Sequence, residues 1–311
     1  MSITGPGRGV VVGVDGSAAS TAATTWAADD AARRGVPLTV VHAVDPLPPP
    51  SATWGQVPVP AGFTEWRDSE ATRIAQDAMD AARHRLQPDA PVPLYSDIAY
   101  GAAVPTLVER SEHAELVVIG AHGRGVVGAA ALGSVASGVL HRAHCPVAVV
   151  HPRESAAPVS PQAPVLVGVD GSPSSRLATD IAFGEAARRG AGVAALHAWS
   201  DLGELGPPWM GWSPAEWLDI SEREDETLAR WLAPFQDRYP AVTVHRLVVS
   251  GRPARRLIEH SAAAQLTVVG SRGRGGFAGL LLGSVSRAVV TTVQTPVIVA
   301  RPPADDPGPA A

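Results

Sequence analysis

"VVVGVDGS" at Val10–Ser17 returns as "VLVGVDGS" at Val165–Ser172, with seven of eight positions identical. A β-branched run that stops at Asp-Gly-Ser reads as a strand buried on both faces, leading into a helix capped by the serine. The match extends outward in both directions. Asp15 and Asp170 lie 155 residues apart, and so do His42 and His197. Gly101 and Gly251, Gly120 and Gly270, and Gly133 and Gly283 lie 150 apart. The five-residue difference falls between the second and third strands of the unit. A unit of this length can fold alone, so the pattern is a tandem duplication and not a solenoid.

Each copy alternates strand and helix. After the first strand, Ser17 or Ser172 starts a helix that Gly35 or Gly190 ends in a left-handed C-cap. "PLTVVHAV" (Pro37–Val44) is a second strand. A loop rich in Pro and Trp follows (Asp45–Trp66; Ser200–Trp217), then a longer helix through Arg85 or Arg238. "PLYSDIAYG" and "VTVHRLVVSG" are third strands, and short helices near Pro105 and Arg255 lead to "ELVVIG" and "QLTVVG". A glycine-rich loop and a helix from Ser134 or Ser284 precede the fifth strands "PVAVVH" and "PVIVAR". Alternating βα units argue for an α/β fold: two tandem Rossmann-like domains, each an open parallel sheet with helices on both faces. The expected boundaries are 1–152 and 164–302. A Pro/Ala/Ser linker occupies 153–163, and a disordered tail occupies 303–311.

Composition removes several function classes. The chain has 311 residues, a formal net charge of −5 and no basic stripe, which argues against nucleic acid as a partner. All 25 basic residues are arginine. A P-loop lysine, a kinase strand lysine and Schiff-base chemistry are therefore excluded. The lone Cys145 reads as a small buried hydrophobe. No apolar run approaches the roughly 20 residues of a membrane span, and no secretory leader is evident. The expected location is the cytoplasm.

In an open α/β sheet, ligands bind beyond the carboxyl ends of the strands. Asp15 and Asp170 end the first strands, His42-Ala43 and His197-Ala198 the second, and Gly120 and Gly270 the fourth. The glycine loop has the spacing G-x2-G-x9-G-S in both copies: Gly120, Gly123, Gly133 and Ser134, then Gly270, Gly273, Gly283 and Ser284. The first two glycines are read as supplying a sharp exit and positive φ without a Cβ. The third lets a phosphate lie against the backbone. The serine opens a helix whose first amides lack internal partners and carry about +0.5 charge, a ready anion site. A turn that merely joins strand to helix is the competing reading. Two copies with identical spacing, each beside an aspartate, favour nucleotide binding. His42 and His197, ending apolar strands, read as satisfied core or site-edge histidines rather than catalysts. Trp54, Trp66, Trp209, Trp212 and Trp217 fall in the variable stretch, where packing beneath the loop is expected. Asp15 and Asp170 are candidates to hold Mg2+ with phosphate oxygens. No catalytic constellation is evident.

At these residues the chain resembles the universal stress protein family, in its ATP-binding tandem-domain form. The resemblance covers roughly Arg8–Pro152 and Pro164–Pro302. It implies an adenine nucleotide alpha hydrolase-like fold with strand order 3-2-1-4-5 in each domain, fifth strands paired between domains or subunits, and ATP across the carboxyl edge. Carried over by position, the ATP-binding residues of the first domain are Gly13, Asp15, Ala43, Gly120, His122, Gly123, Arg124, Gly133, Ser134, Val135 and Ala136. Those of the second are Gly168, Asp170, Ala198, Gly270, Arg272, Gly273, Arg274, Gly283, Ser284, Val285 and Ser286. The expected function is nucleotide-dependent regulation of a stress response. A slow ATPase or phosphotransfer enzyme is the alternative. The expected partners are a second copy of the chain, in a homodimer, and a further protein. His122 stands where the second repeat has Arg272, and Ala136 where it has Ser286. The second site is thus expected to bind more tightly.

Overall fold

The computed structural model describes residues 9–46, 62–86, 92–123, 132–152, 160–199, 214–274 and 282–301. Arg124, Trp54, Trp209, Trp212, the side chain of Trp217, the linker residues 153–159 and the tail from 302 lie outside the described residues. By contacts the chain divides into two compact units, residues 1–145 with 150–152, and 146–149 with 153–311.

The first unit begins with β1 (Val10–Val14), α1 (Ala18–Arg34) and β2 (Leu38–Val44). It continues with α2 (Phe63–Arg85), β3 (Leu94–Tyr100), α3 (Ala103–Ser111) and β4 (Leu116–Gly120). Helix α4 (Ser134–Arg142) completes it, and its strand order is β3-β2-β1-β4; β5 (Val147–Val150) falls almost wholly in the second unit. β1 runs parallel to both β2 and β4. Val10, Val12, Val117 and Val118 are fully buried, as a strand covered on both faces requires. Helices α1 and α2 pack together, as do α3 and α4, and the two pairs flank the sheet.

The second unit repeats the pattern. β6 (Val165–Gly168), α5 (Pro173–Arg189), β7 (Val193–Ala198), α6 (Pro214–Arg238) and β8 (Val244–Val249) come first. α7 (Pro253–Ser261), β9 (Leu266–Gly270), α8 (Ser284–Thr292) and β10 (Val297–Ala300) complete it, in the order β8-β7-β6-β9-β10. Within this unit Val147–Val149 pair antiparallel with Val297–Val299.

The caps form as the residue types require. Ser17 Oγ accepts the Ser20 N–H at 3.2 Å, and Ser172 Oγ accepts the Ser175 N–H at the same distance. Gly35 and Gly190 end α1 and α5 at φ 66° and 62°. Glu185, inside α5, is fully buried between the guanidinium groups of Arg188 and Arg189 at 2.7 and 2.9 Å. The long helices start earlier than the sequence suggests. Trp66 lies inside α2 and Trp217 inside α6, not in loops. Trp66 is also 60% exposed, so it does not pack beneath a loop; its ring meets Phe63 at 5.7 Å. Among the described residues no helix is long and apolar enough to cross a membrane. Cys145 is buried and forms no disulfide.

Candidate functional site

The parallel strands deliver their carboxyl ends to one edge, and the connections there close a cavity of about 340 Å³ in the first unit. That volume falls in the range of small-molecule sites. Ten of the eleven positions expected for this unit line it. Gly13, Asp15, Ala43, Gly120 and His122 come from strand ends and exits, while Gly123, Gly133, Ser134, Val135 and Ala136 come from the loop and helix start. Arg124 lies outside the described residues. The sequence reading missed Ala103 and Leu107 of α3, together with Val14, Val41, Ile119 and Ser20, which supply most of the apolar wall. A short helix with a few aliphatic residues looks like ordinary core in sequence, and only the crossing of α3 over β1 brings it to the site.

The loop glycines are needed for space and not for unusual dihedrals. The positive-φ glycines include Gly16, Gly171 and Gly251, but none of Gly120, Gly123, Gly270 or Gly273. This corrects the expectation of positive φ. A Cβ on Gly120 would lie 2.8 Å from the backbone carbon of Ala19, and one on Gly270 would lie 2.9 Å from that of Ser174. The fourth strand therefore abuts the first turn of the first helix, with no gap for a methyl group. A Cβ on Gly123 or Gly273 would lie 2.6 Å from Oδ2 of Asp15 or Asp170. The aspartate and the second loop glycine are thus coupled parts.

Each aspartate braces its own turn. Asp15 Oδ1 accepts the Ser17 N–H at 3.0 Å, and Asp170 Oδ1 accepts the Ser172 N–H at 2.9 Å. Asp170 Oδ2 also accepts the Arg274 N–H at 3.1 Å, tying the glycine loop to the strand end. The third glycine is the helix N-cap. Gly133 N–H donates to Ala121 O at 2.8 Å, and Gly283 N–H donates to Ser271 O at 2.8 Å. The first intrahelical bonds are Ser137 N–H to Gly133 O and Arg287 N–H to Gly283 O. Three amides in each unit, at 134–136 and 284–286, therefore have no acceptor within the helix. Neither helix carries an acid in its first turn, so the positive end of the dipole is not offset there.

The other predicted residues fall as follows. Gly168 faces Leu257, as Gly13 faces Leu107. Ala198 ends β7, half-buried, and Val285 and Ser284 open α8. Arg272 is exposed. The Ser286 hydroxyl is buried and donates to Gly270 O at 2.5 Å, fastening helix to strand. His42 and His197 each set Nδ1 2.8 Å from the carbonyl of Val14 or Val169 at the end of the neighbouring strand. Both rings are buried. His122 lines the cavity and meets the His151 ring edge-on at 5.7 Å.

The residues suit a phosphorylated ligand with an apolar head group. Three amides at a helix end can hold phosphate oxygens without a lysine. Aliphatic walls suit a base. A carboxylate beside an anion site needs a hydroxyl donor or a cation between them, which a ribose or Mg2+ would supply. Among the described residues no group of three or more His, Cys, Asp or Glu forms a metal cage. A Mg2+ ion here would rest on one carboxylate plus phosphate oxygens.

Comparison with known proteins gives one family. The sequence profile of the universal stress protein family matches residues 8–151 and again 163–301. A universal stress protein of Mycobacterium tuberculosis is 48% identical over 294 residues, covering 94% of this chain and 97% of that protein. A second from the same organism is 46% identical over 301 residues, covering 97% and 99%. Among solved structures, a universal stress protein from Archaeoglobus fulgidus has a TM-score of 0.65 at 19% identity, covering 96% of this chain and 98% of that one.

Proposed function

The chain belongs to the universal stress protein family, and we propose that each of its two units binds ATP and that occupancy, rather than turnover, is the output. The observation that carries this reading is the cavity at the carboxyl edge, where the first amides of α4, which have no acceptor within the helix, the Asp15 carboxylate and an aliphatic wall converge. The same glycine, aspartate and helix-start geometry recurs in the second unit.

In this reading the amides at 134–136 and 284–286 hold phosphate oxygens. Hydrogen bonds to a charged group contribute about 1.5–3 kcal/mol each, so three can hold a triphosphate that lysine holds elsewhere. Asp15 and Asp170 accept from the ribose hydroxyls, or share a Mg2+ ion with the phosphates. That ion would neutralise phosphate charge. Ala43 and Ala198 border the base, which in the first unit packs on Val41 and Leu107. Both aspartates are engaged in bracing their turns, an arrangement that serves binding better than proton transfer. Ligand-dependent rigidity of the loops then alters what a protein partner meets.

His122 on the cavity wall favours a second reading, slow hydrolysis with the imidazole as base. Purified chain is assayed for co-purified nucleotide and for ADP formed from added ATP over hours. Bound ATP with no ADP supports the regulatory reading. ADP formation abolished by His122→Asn supports the second. Absence of bound nucleotide, with no binding of added ATP, overturns both.

A further inference from the structure

The turn after β6 is covered by a side chain from α6. The Trp231 indole lies so close that a Cβ on Gly171 would fall 2.6 Å from Cζ2, and Gly171 itself holds φ +79°. The His197 ring meets the indole edge-on, with centroids 5.3 Å apart at 87°. His197 Nε2 lies 3.1 Å from a carboxylate oxygen of Glu224, one helical stretch earlier on α6. The Arg274 guanidinium stands over the indole face, 4.8 Å from the ring centroid. The N–H of the same arginine donates to Asp170 at 3.1 Å. A cation of the second glycine loop is therefore held on an aromatic ring beside the aspartate of the site. In α2, the counterpart helix of the first unit, the one tryptophan is Trp66 in the first turns, whereas Trp231 lies toward the end of α6. The first unit carries no indole at that place.

We propose that Trp231 is a positioning residue of the second site: it parks the Arg274 guanidinium, and a phosphate group entering the loop draws it off the indole. The inference rests on the nucleotide reading above. An exposed cation–π contact is weaker than a charge-assisted bond between guanidinium and a phosphate oxygen, so the exchange runs toward the ligand. The contact is also lost on binding, which lowers the affinity of this site and couples its occupancy to α6. His197, itself held by Glu224, meets the indole edge-on and fixes it. The two tandem sites then differ in a way that the glycine spacing alone does not reveal.

The test uses the full chain labelled with 5-fluorotryptophan. The chain has eight tryptophans, and Trp231→Phe assigns the resonance of interest. Saturation with ATP, and separately with inorganic tripolyphosphate, is expected to shift that resonance. In Arg274→Gln the resonance is expected to start near the shifted position and to stay there. In Trp231→Leu, which keeps an apolar side chain on α6, second-site affinity by calorimetry is expected to rise about two- to fivefold, the worth of an exposed cation–π contact. A Trp231 resonance that does not move while calorimetry shows both sites filled overturns this inference and leaves the nucleotide reading standing. Unchanged or weaker second-site binding in Trp231→Leu, at an unaltered melting temperature, also overturns it. Failure of both ATP and tripolyphosphate to bind overturns the two together.

Discussion

One added methyl group, placed three residues apart in the same loop, separates binding from folding. In Gly123→Ala the new Cβ would lie 2.6 Å from Asp15 Oδ2, and the next atom it meets, Asp15 Cγ, is at 3.7 Å. Only a side-chain carboxylate stands in the way, and it can turn aside. Doing so breaks the bond from Ser17 N–H at 3.0 Å and removes the carboxylate from the cavity. The site is half-exposed, so water replaces much of what is lost, and stability falls by about 1 kcal/mol. That is about 2–4 °C in Tm for a unit of this size. A ligand that needs the carboxylate loses about 1.5–3 kcal/mol, roughly ten- to a hundredfold in Kd at that site. In Gly120→Ala the Cβ would meet the backbone carbon and Cβ of Ala19, both at 2.8 Å. Backbone cannot rotate away, so α1 must move off β4. Overpacking of this kind costs about 1–3 kcal/mol, and Tm should fall further than in Gly123→Ala. Differential scanning fluorimetry and ATP titration calorimetry on the two full-length variants give both numbers. Wild-type affinity in Gly123→Ala with a Tm loss equal to that of Gly120→Ala would show that the carboxylate and the loop glycine are not coupled in binding.

Other outcomes follow from the same geometry. Ser286→Ala should leave second-site affinity within twofold of wild type while lowering Tm, because the hydroxyl serves Gly270 O; a large affinity loss in calorimetry would contradict this. Glu185→Ala leaves Arg188 and Arg189 beside a buried gap, and losing one partner of a buried pair costs about 3–5 kcal/mol. A urea melt should show the loss mainly in the transition of the second unit. Arg246 holds the Asp225 carboxyl below its ordinary range, chiefly through a direct hydrogen bond. This depressed pKa contributes stability above the ordinary carboxylate range, and the contribution disappears as pH falls through the folded-state value. Both side chains are largely exposed, so the effect is at most about 1 kcal/mol. Arg246→Gln should reduce stability at pH 7 slightly and leave it unchanged near pH 2, as read from denaturant midpoints.

Much of the fold was legible because local rules and the global pattern agree. Ser17, Ser172, Gly35 and Gly190 cap their helices as their chemistry dictates, and the β-branched runs occupy central parallel strands. Duplication did the rest, since a spacing kept twice separates Gly123 and Gly273 from incidental glycines. What escaped depends on contacts distant in sequence. Leu107 reaches the cavity only because α3 crosses β1, and Trp231 reaches Gly171 across 60 residues of chain. Ser286 shows a different limit. Its residue type suggests a ligand donor, but a hydroxyl at the third helical position can equally reach a strand carbonyl. The glycines show a third, because sequence cannot distinguish a need for positive φ from a need for an absent Cβ.

In the proposed function ATP occupies both carboxyl-edge sites through the aspartate-coupled glycine loops. Calorimetric titration of ATP into the full chain, compared with Gly123→Ala and Gly273→Ala combined, tests it most directly. Two nucleotides bound per wild-type chain are expected, with Kd raised roughly ten- to a hundredfold at both sites of the folded double variant. Absence of saturable binding to the wild type, or undiminished binding to the double variant, would contradict it.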